Sequence, residues 1–261
     1  VLHLVHIYLN TLLNRERCEI RESFIPPNWN QCIKDNQGWD EYWANKNKSA
    51  LLIYDLIAAF YRKYIIKKSL NYFIMKYFIK DAKILHAGCG SGQVDIDIIG
   101  KYSITALDIS TEALAIYRKV TKGHCNLLHG SIFAIPEPNA TFDGIYNLGV
   151  MEHFTEGEIN NILNEFNRVL KPNGKIILFW PPEFGISVVF LKFIRHFMNV
   201  LFKENIKLHP DEITKIKSKR QVKHLLLKAG FSLIEYYFGP KDLFTHVVVG
   251  EKLNKDGCIE K

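Results

Sequence analysis

Three glycines within five residues follow a short apolar run and constrain the fold more than any other feature of this chain. Residues 84–87 have the length of a buried strand, and Gly88, Gly90 and Gly92 come directly after them. Glycine has no Cβ atom, so its backbone can turn tightly and approach a bound molecule closely. The periodic segment at 93–102 predicts a helix whose first N–H groups face the same turn. These residues therefore predict a strand, a ligand-binding turn and a helix.

Strand-like and helix-like segments alternate through the middle of the chain. Strand patterns cover 103–109, 125–131, 142–148 and 175–181, and helical patterns cover 111–120 and 155–170. Such alternation predicts parallel strands joined by right-handed crossovers. The last two strand patterns, 231–239 and 243–252, are separated by too few residues for a crossover, so we expect them to pair antiparallel. The predicted fold class is α/β: a doubly wound, mostly parallel, Rossmann-like sheet of seven strands with an antiparallel last strand.

Apolar periodicity divides the chain into four predicted segments. Between residues 39 and 80 apolar side chains recur at intervals of three and four, as in amphipathic helices. Thr155 and Glu158 have the spacing of a capping box, and Ser218 is placed to cap a helix. The predicted division is an N-terminal helical cap at 1–80, a ligand-binding core at 81–181, a helical insertion at 182–230, and terminal antiparallel strands of the same core at 231–261.

Charge and cysteine content set wide bounds on function. The formal net charge is +7, which suits nucleic acid or an anionic membrane, but basic and acidic residues are interspersed. The five cysteines are widely spaced and form no Cys-x-x-Cys pair, so we expect no disulfide framework, no metal site, and a reducing, cytoplasmic setting. No stretch has the roughly 18 uninterrupted apolar residues of a membrane span, and the N-terminal residues lack a basic leader.

Asp108 is the acidic residue best placed to act with the glycine turn. It ends the second predicted strand, where its carboxylate can accept hydrogen bonds from the two hydroxyls of a ribose. The alternative is a helix cap for 111–120, a role that Ser110 or Thr111 fills equally well. The turn reads Gly-x-Gly-x-Gly and not Gly-x-Gly-x-x-Gly, which disfavours a nicotinamide-dependent oxidoreductase.

At this point the sequence resembles the class I S-adenosylmethionine-dependent methyltransferases over roughly residues 39–252. The resemblance rests on four blocks in order, ILHAGCGSG, ALDIS, GSIFAIPEPNATFDGIYNLGVMEHF and LNEFNRVLKPNGKIILFWP. It implies that S-adenosyl-L-methionine is the cofactor, with its methionine part over the glycine turn, its ribose at Asp108 and its adenine beside Phe133 and its two preceding residues. The implied cofactor-binding residues are His86, Ala87, Gly88, Cys89, Gly90, Gly92, Asp108, Ile109, Ser131, Ile132, Asn147, Leu148 and Gly149, of which the last three line the methyl-transfer face.

Two positions depart from the pattern of that family. The family usually carries an acid where this chain has His86, and an Asp where it has Ser131. A carboxylate at the first position helps to hold the cofactor's ammonium group, and a neutral imidazole substitutes for it only in part. We therefore expect these changes to affect affinity more than cofactor identity.

His153 is the candidate general base. It follows the fourth predicted core strand and precedes the capped helix, on the rim of the expected site. Its ordinary pKa near ~6.5 suits proton transfer. The alternative is that His153 only packs in the loop or bonds its backbone, and its neighbour Glu152 need not face the site.

Acceptor selection in such enzymes depends on the N-terminal helices and on the insertion after the fifth strand. Trp39, Tyr42 and Trp43 are expected to fold over the cofactor, where aromatic faces suit a sulfonium cation or anchor the helix. Residues 186–203 have one apolar and one basic helical side. They predict a lid on the sheet, with peripheral membrane contact and a lipophilic substrate as the alternative.

The favoured function is methyl transfer to an O or N atom of a small molecule such as a sugar, a lipid precursor or another metabolite. An RNA or protein methyltransferase is the alternative, although residues 147–153 lack the Asn-Pro-Pro-Tyr type of loop and no separate RNA-binding module is visible, so a nucleic-acid substrate is not expected. A non-catalytic cofactor-binding protein is a further alternative. The sequence leaves open the acceptor, the methylated atom and the oligomeric state.

Overall fold

One eight-stranded sheet organises the part of the chain that the computed structural model describes, namely residues 20–22, 39–40, 60, 62–183, 212–239 and 242–254. The strands are β1 (Ile20–Glu22), β2 (Lys83–Ala87), β3 (Ser103–Asp108), β4 (Asn126–His129), β5 (Phe142–Leu148), β6 (Leu170–Trp180), β7 (Phe231–Gly239) and β8 (Asp242–Lys252). The helices are α1 (Lys67–Tyr77), α2 (Thr111–Val120), α3 (Glu156–Val169) and α4 (Lys219–Lys228). A π-helical turn (Arg62–Ile66) precedes α1, and a 3₁₀ turn (Met151–His153) precedes α3.

The strand order is β1-β4-β3-β2-β5-β6-β8-β7. All neighbours run parallel except β8, which is antiparallel to both β6 and β7. The doubly wound sheet with an antiparallel last strand is therefore confirmed. Chain order reverses on either side of β2, which pairs with β3 on one edge and β5 on the other. That reversal is where open α/β sheets bind ligands, beyond the carboxyl ends of the strands.

The predicted helix caps are present. Thr155 accepts a hydrogen bond from the backbone N–H of Glu158, whose carboxylate accepts one from the N–H of Thr155. Ser218 accepts from the N–H of Gln221 at the start of α4. Ser110 caps α2 by accepting from the N–H of Ala113. Local spacing alone predicted these ends because a cap needs only residues three positions apart.

The helix predicted at 93–102 is wrong. The chain forms consecutive hydrogen-bonded turns there, with the N–H of Ile98 donating to Asp95 and the N–H of Lys101 donating to Ile98. Gly92 and Gly100 bound this segment with φ of 65° and 83°, a left-handed conformation that interrupts a right-handed helix. The few residues between them span only about two helical turns. The crossover from β2 to β3 is therefore a compact loop.

The predicted cap at 1–80 contains a strand. β1 pairs parallel with β4, with Ile20 opposite Leu127 and Glu22 opposite His129. An edge strand presents a row of unpaired N–H and C=O groups, and β1 covers those of β4. The prediction of seven strands accordingly omitted one strand added at this edge.

Two apolar layers cover the sheet. One contains Leu163 and Phe166 of α3 together with Val222 and Leu226 of α4. The other contains Leu70, Phe73 and Ile74 of α1, and Val94 and Ile98 of the turns after the glycines. Helix α4, which lies within the predicted insertion at 182–230, therefore packs in the same core layer as α3, and the end of the insertion at residue 230 stays a prediction.

Only the end of the predicted insertion lies within the described residues. Residues 212–216, here called the strap, form no helix. The strap is joined to the end of β6, since the N–H of Ile216 donates to Pro181 and the N–H of Glu183 donates to Ile216. The amphipathic pattern at 186–203 lies outside the described residues. The segment boundaries at 80 and 181 stay predictions.

No helix in the described ranges has both the length and the apolar character needed to cross a membrane.

We expect Gly144→Ala to destabilise the fold. A Cβ atom at this position of β5 would lie 2.1 Å from the ring of Phe78, so the core must shift. Overpacking of this kind costs about 1–3 kcal/mol. Gly157→Ala in α3 is the matched control, because its Cβ meets open space and alanine favours a helix by roughly 0.5–1 kcal/mol. Urea unfolding of both variants measures the difference, and equal midpoints would contradict the packing described here.

Candidate functional site

The glycine turn lies at the carboxyl end of β2, where the strand order reverses. Gly88 and Cys89 donate their N–H groups to the carbonyl of Leu107, at 2.9 and 3.0 Å, which ties the turn to β3. Gly88 has a φ of 72°, and a Cβ atom there would lie 2.7 Å from Val150. At Gly92, with a φ of 65°, a Cβ atom would lie 2.4 Å from the ring of Tyr117. Both glycines are thus required by conformation and by packing.

Asp108 joins two loops. Its Oδ2 accepts a hydrogen bond from the N–H of Gly90 at 2.8 Å, and its Oδ1 accepts one from the N–H of Ser110 at 2.9 Å. Burial raises the pKa of Asp108, and the hydrogen bonds from Ser110 and Gly90 oppose that rise. Each carboxylate oxygen can accept more than one hydrogen bond, so capacity remains for ligand hydroxyls. The cap of α2 is Ser110, and the alternative role for Asp108 as that cap is therefore wrong.

The helical turn at Trp39 and Asp40 spans two loops of the site. Asp40 accepts a hydrogen bond from the hydroxyl of Ser110 at 2.5 Å, after β3. The ring of Trp39 meets the ring of His153 edge to face, 5.2 Å between centroids, after β5. This turn therefore lies at the same sheet edge as the glycine turn, while Tyr42 and Trp43 lie outside the described residues.

The residues implied for adenine follow β4. Ser131 is buried, and its Oγ accepts a hydrogen bond from the N–H of Phe133 at 3.2 Å. Ile132 and Phe133 are half-buried against the core. The carbonyl of Ile109 accepts a hydrogen bond from His129 at 3.0 Å, which ties the loop after β3 to β4. The structure brings these residues to the same sheet edge as Asp108.

The residues implied for the transfer face end β5. Asn147 is fully buried and donates to the carbonyl of Ala87 at 3.3 Å. Its Oδ1 accepts no hydrogen bond from any described residue. Leu148 is half-buried, and Gly149 turns the chain with a φ of 66° while its N–H donates to Phe179 at 3.0 Å. The loops after β2 and β5 are thereby held side by side.

A buried polar cluster lies beneath the glycine turn, and sequence reasoning missed most of it. His86 Nδ1 lies 2.6 Å from Asp95 Oδ2, which also accepts a hydrogen bond from the hydroxyl of Tyr117 at 2.5 Å. The ring of His86 stacks on Tyr146 with centroids 4.3 Å apart. Burial, followed by the charge of Asp95, raises the pKa of Tyr117 well above its ordinary value. The family usually has an acid where this chain has His86. That difference is the sequence signal that points to another carboxylate nearby.

The same cluster has spare hydrogen-bonding capacity. Within the described ranges, His86 Nε2 is buried without a hydrogen-bond partner. Buried polar atoms are nearly always paired in folded proteins. Unpaired atoms of this kind beside a glycine turn fit a site that receives a polar ligand.

Glu152 lies against Gly149, one of the residues implied for the transfer face, although sequence reasoning left its direction open. Its side chain is only 6% exposed, and Oε1 lies 3.3 Å from the position that a Cβ atom of Gly149 would take. Its carbonyl accepts hydrogen bonds from the N–H groups of Ile213 and Thr214 of the strap, at 2.6 and 3.0 Å. Burial raises the pKa of Glu152 to about 8.

Among the described residues, no group of three or more His, Cys, Asp or Glu side chains is arranged to hold a metal ion.

The comparisons with known proteins agree with this geometry. Residues 84–174 match a family model described as a methyltransferase domain. The matched segment is here called the methyltransferase domain. The methyltransferase domain has the fold of magnesium protoporphyrin IX methyltransferase from Synechocystis, solved with bound S-adenosylhomocysteine. That likeness has a TM-score of 0.58 at 14% identity, over 85% of this chain and 99% of that one.

Two curated relatives resemble the methyltransferase domain in sequence. A protein of Schizosaccharomyces pombe named as a methyltransferase is 31% identical over 117 residues, which are 40% of this chain and 41% of the relative. An O-methyltransferase of Aspergillus nomiae is 26% identical over 167 residues, which are 60% of this chain and 68% of the relative. This chain thus spans about two fifths of the first relative.

We expect Asp95→Ala to destabilise the methyltransferase domain strongly. It removes the shared acceptor of His86 and Tyr117, and each buried polar group left unpaired costs about 1–3 kcal/mol. Asp97→Ala is the matched control, because Asp97 is partly exposed and pairs with Lys67, a contact worth about 0–1 kcal/mol. Denaturant unfolding measures both losses. A loss at Asp95 no larger than at Asp97 would contradict the buried cluster.

We expect the stability of the fold to depend on pH through Glu152. Its pKa is near 8 in the folded protein and about 4.3 in an unfolded chain, so the folded state holds the extra proton between these values. Its contribution to stability therefore falls as pH rises from about 4.3 to 8, by up to roughly 1.4 kcal/mol per pH unit. Glu152→Gln removes this dependence. Urea unfolding at pH 5.5 and 8 should show the variant gaining on the wild type at the higher pH, and a constant difference would refute the shift.

Proposed function

We propose that this chain binds S-adenosyl-L-methionine and transfers its methyl group to an O or N atom of a small molecule. The observation that carries the proposal is the buried Asp108 carboxylate, joined to the glycine turn through Gly90 at the reversal of strand order. An acid and a glycine turn in this relation suit an adenosyl ligand, since the carboxylate can accept hydrogen bonds from two ribose hydroxyls.

The residues present fit this cofactor. Gly88 and Gly92 keep the turn free of side chains in a left-handed conformation. The buried Nε2 of His86 and Oδ1 of Asn147, which have no partner among the described residues, offer hydrogen bonds to its polar groups. We assign cofactor binding to the thirteen positions expected from the sequence. When bound, the cofactor supplies an electrophilic methyl group on a sulfonium.

The chain's own contribution is orientation and exclusion of water. The turn at Trp39 and Asp40 contacts the loops after β3 and β5, and the strap is bonded to the 3₁₀ turn after β5. Elements held in this way can fix an acceptor beside the cofactor. Orientation alone can lower a barrier by ~7–11 kcal/mol. The Trp39 contact also fixes the ring of His153, whose role as a base stays a prediction.

A small-molecule acceptor is supported by relatives and by chemistry. The Aspergillus nomiae relative is an O-methyltransferase, and the Synechocystis protein is named for methylating a porphyrin. Aromatic side chains at this edge, such as Trp39 in edge-to-face contact with His153, suit a planar or apolar acceptor. Contact of residues 186–203 with a membrane and a cytoplasmic location stay predictions.

Calorimetric titration with S-adenosylmethionine, S-adenosylhomocysteine and NAD tests the proposal. We expect binding of the first two in the micromolar range and none of NAD. Asp108→Ala should abolish binding, because it removes the ribose acceptor and frees the N–H of Gly90. Asp143→Ala is the matched control, since Asp143 pairs with Lys171 beside the amino end of β2. NAD binding without sulfonium binding, or unchanged affinity in Asp108→Ala, would refute the assignment.

A further inference from the structure

Glu152 is a buried carboxyl group that forms no hydrogen bond with another side chain among the described residues. Its main chain holds the strap, but its side-chain Oε2 is buried and has no hydrogen-bond partner among the described residues. A carboxyl group buried without full hydrogen bonding costs free energy. Buried ionisable groups kept at such a cost are concentrated at functional sites. The carboxyl group of Glu152 is therefore a candidate for a chemical role.

The carboxyl group of Glu152 lies near the ends of β5 and β6. Gly149 begins the turn after β5, and a Cβ atom there would lie 3.3 Å from Oε1 of Glu152. Gly149 in turn is bonded to Phe179 of β6, so the carboxyl stands by the ends of both strands. The strap covers its other side, with the carbonyl of Thr214 fixed by the indole N–H of Trp180 at 2.9 Å. Glu152 thus lies between the transfer face and the covering segment.

We infer that Glu152 is the proton acceptor of the transfer site, which gives up its proton when the sulfonium cofactor binds and takes the acceptor's proton during methyl transfer. This inference rests on the proposed function. It assigns the methyl acceptor to molecules whose nucleophilic atom carries a proton, namely a hydroxyl or an N–H group. It also gives the base role to the neighbour of His153.

The step balances in atoms and electrons. The lone pair of the acceptor oxygen or nitrogen forms the new bond to the methyl carbon, and the electron pair of the broken C–S bond stays on sulfur. The proton of the acceptor passes to the carboxylate of Glu152. A base with a pKa near the working pH is suited to this transfer, as the value for Glu152 is.

Two charged residues of the described strap act on Glu152 in opposite directions. Glu212 of the strap raises its pKa and Lys215 of the strap lowers it, and these two residues pair with each other. Burial is the largest cause of the shift. A cation delivered to the site is therefore able to change the ionisation of Glu152, because a nearby positive charge favours the carboxylate.

Proton counting during ligand binding tests the inference without knowledge of the acceptor. The full chain is titrated with S-adenosylmethionine and with neutral S-adenosylhomocysteine at pH 8, in phosphate and in Tris. These buffers differ in ionisation enthalpy, so the difference in heat gives the protons released. We expect the sulfonium to release up to about half a proton more than its neutral analogue, because Glu152 is near half-protonated at this pH.

Two variants test whether the released proton comes from Glu152. In Glu152→Gln, which keeps the shape of the side chain but cannot ionise, the two ligands should release equal numbers of protons. In Glu156→Gln the excess should persist, because Glu156 is exposed on α3 and bonds Gln221. Equal proton release by both ligands in the wild type would overturn the inference without any variant, as would a persisting excess in Glu152→Gln. Failure of the wild type to bind either ligand would instead refute the proposed function and the inference with it.

Discussion

The carboxylate of Asp108 is the contact on which the arrangement of the site depends. Its two oxygens accept hydrogen bonds from the turn after β2 and from the loop after β3. Ser110, bonded to it through the main chain, also caps α2 and donates to Asp40. One buried group therefore fixes the glycine turn, the start of a helix and an N-terminal segment together. Hydrogen bonds to a charged group are stronger than neutral ones, which suits this central position.

Several polar side chains of the site are buried and in contact with one another. Asp95 is the buried carboxyl group in contact with His86, with 2.6 Å between Oδ2 and Nδ1. Glu152 lies beside Gly149, in the turn after β5. Low dielectric strengthens the interactions of such groups and makes an unpaired one costly. The atoms left without partners in the described residues thus indicate where a polar ligand would add hydrogen bonds.

Local sequence pattern predicted what depends on local chemistry. The strands, the antiparallel end of the sheet, and the caps at Ser110, Thr155 and Ser218 follow from alternation and from side chains three residues apart. The glycine turn and Asp108 could be found because they stand at strand ends. The helix predicted at 93–102 is wrong because the prediction used apolar spacing alone. Gly92 and Gly100 adopt positive φ angles, which apolar spacing does not reveal.

Contacts between distant residues explain the remaining misses. β1 forms by pairing with the edge of β4. The strap, about sixty positions further along the chain, is hydrogen-bonded to the carbonyl of Glu152. Asp95 was hidden because its partners Tyr117 and His86 meet it only in the folded sheet. Side-chain direction in the turn after β5 likewise depends on packing, and the sequence contained no signal that Glu152 turns inward.

A crystal structure with S-adenosylhomocysteine at saturating concentration tests the role of Asp108 and the glycine turn. We expect the ribose hydroxyls on the carboxylate of Asp108 and the amino-acid part of the ligand over the turn from Gly88 to Gly92. A ligand bound elsewhere on the chain, or density absent from that edge of the sheet at saturation, would contradict it.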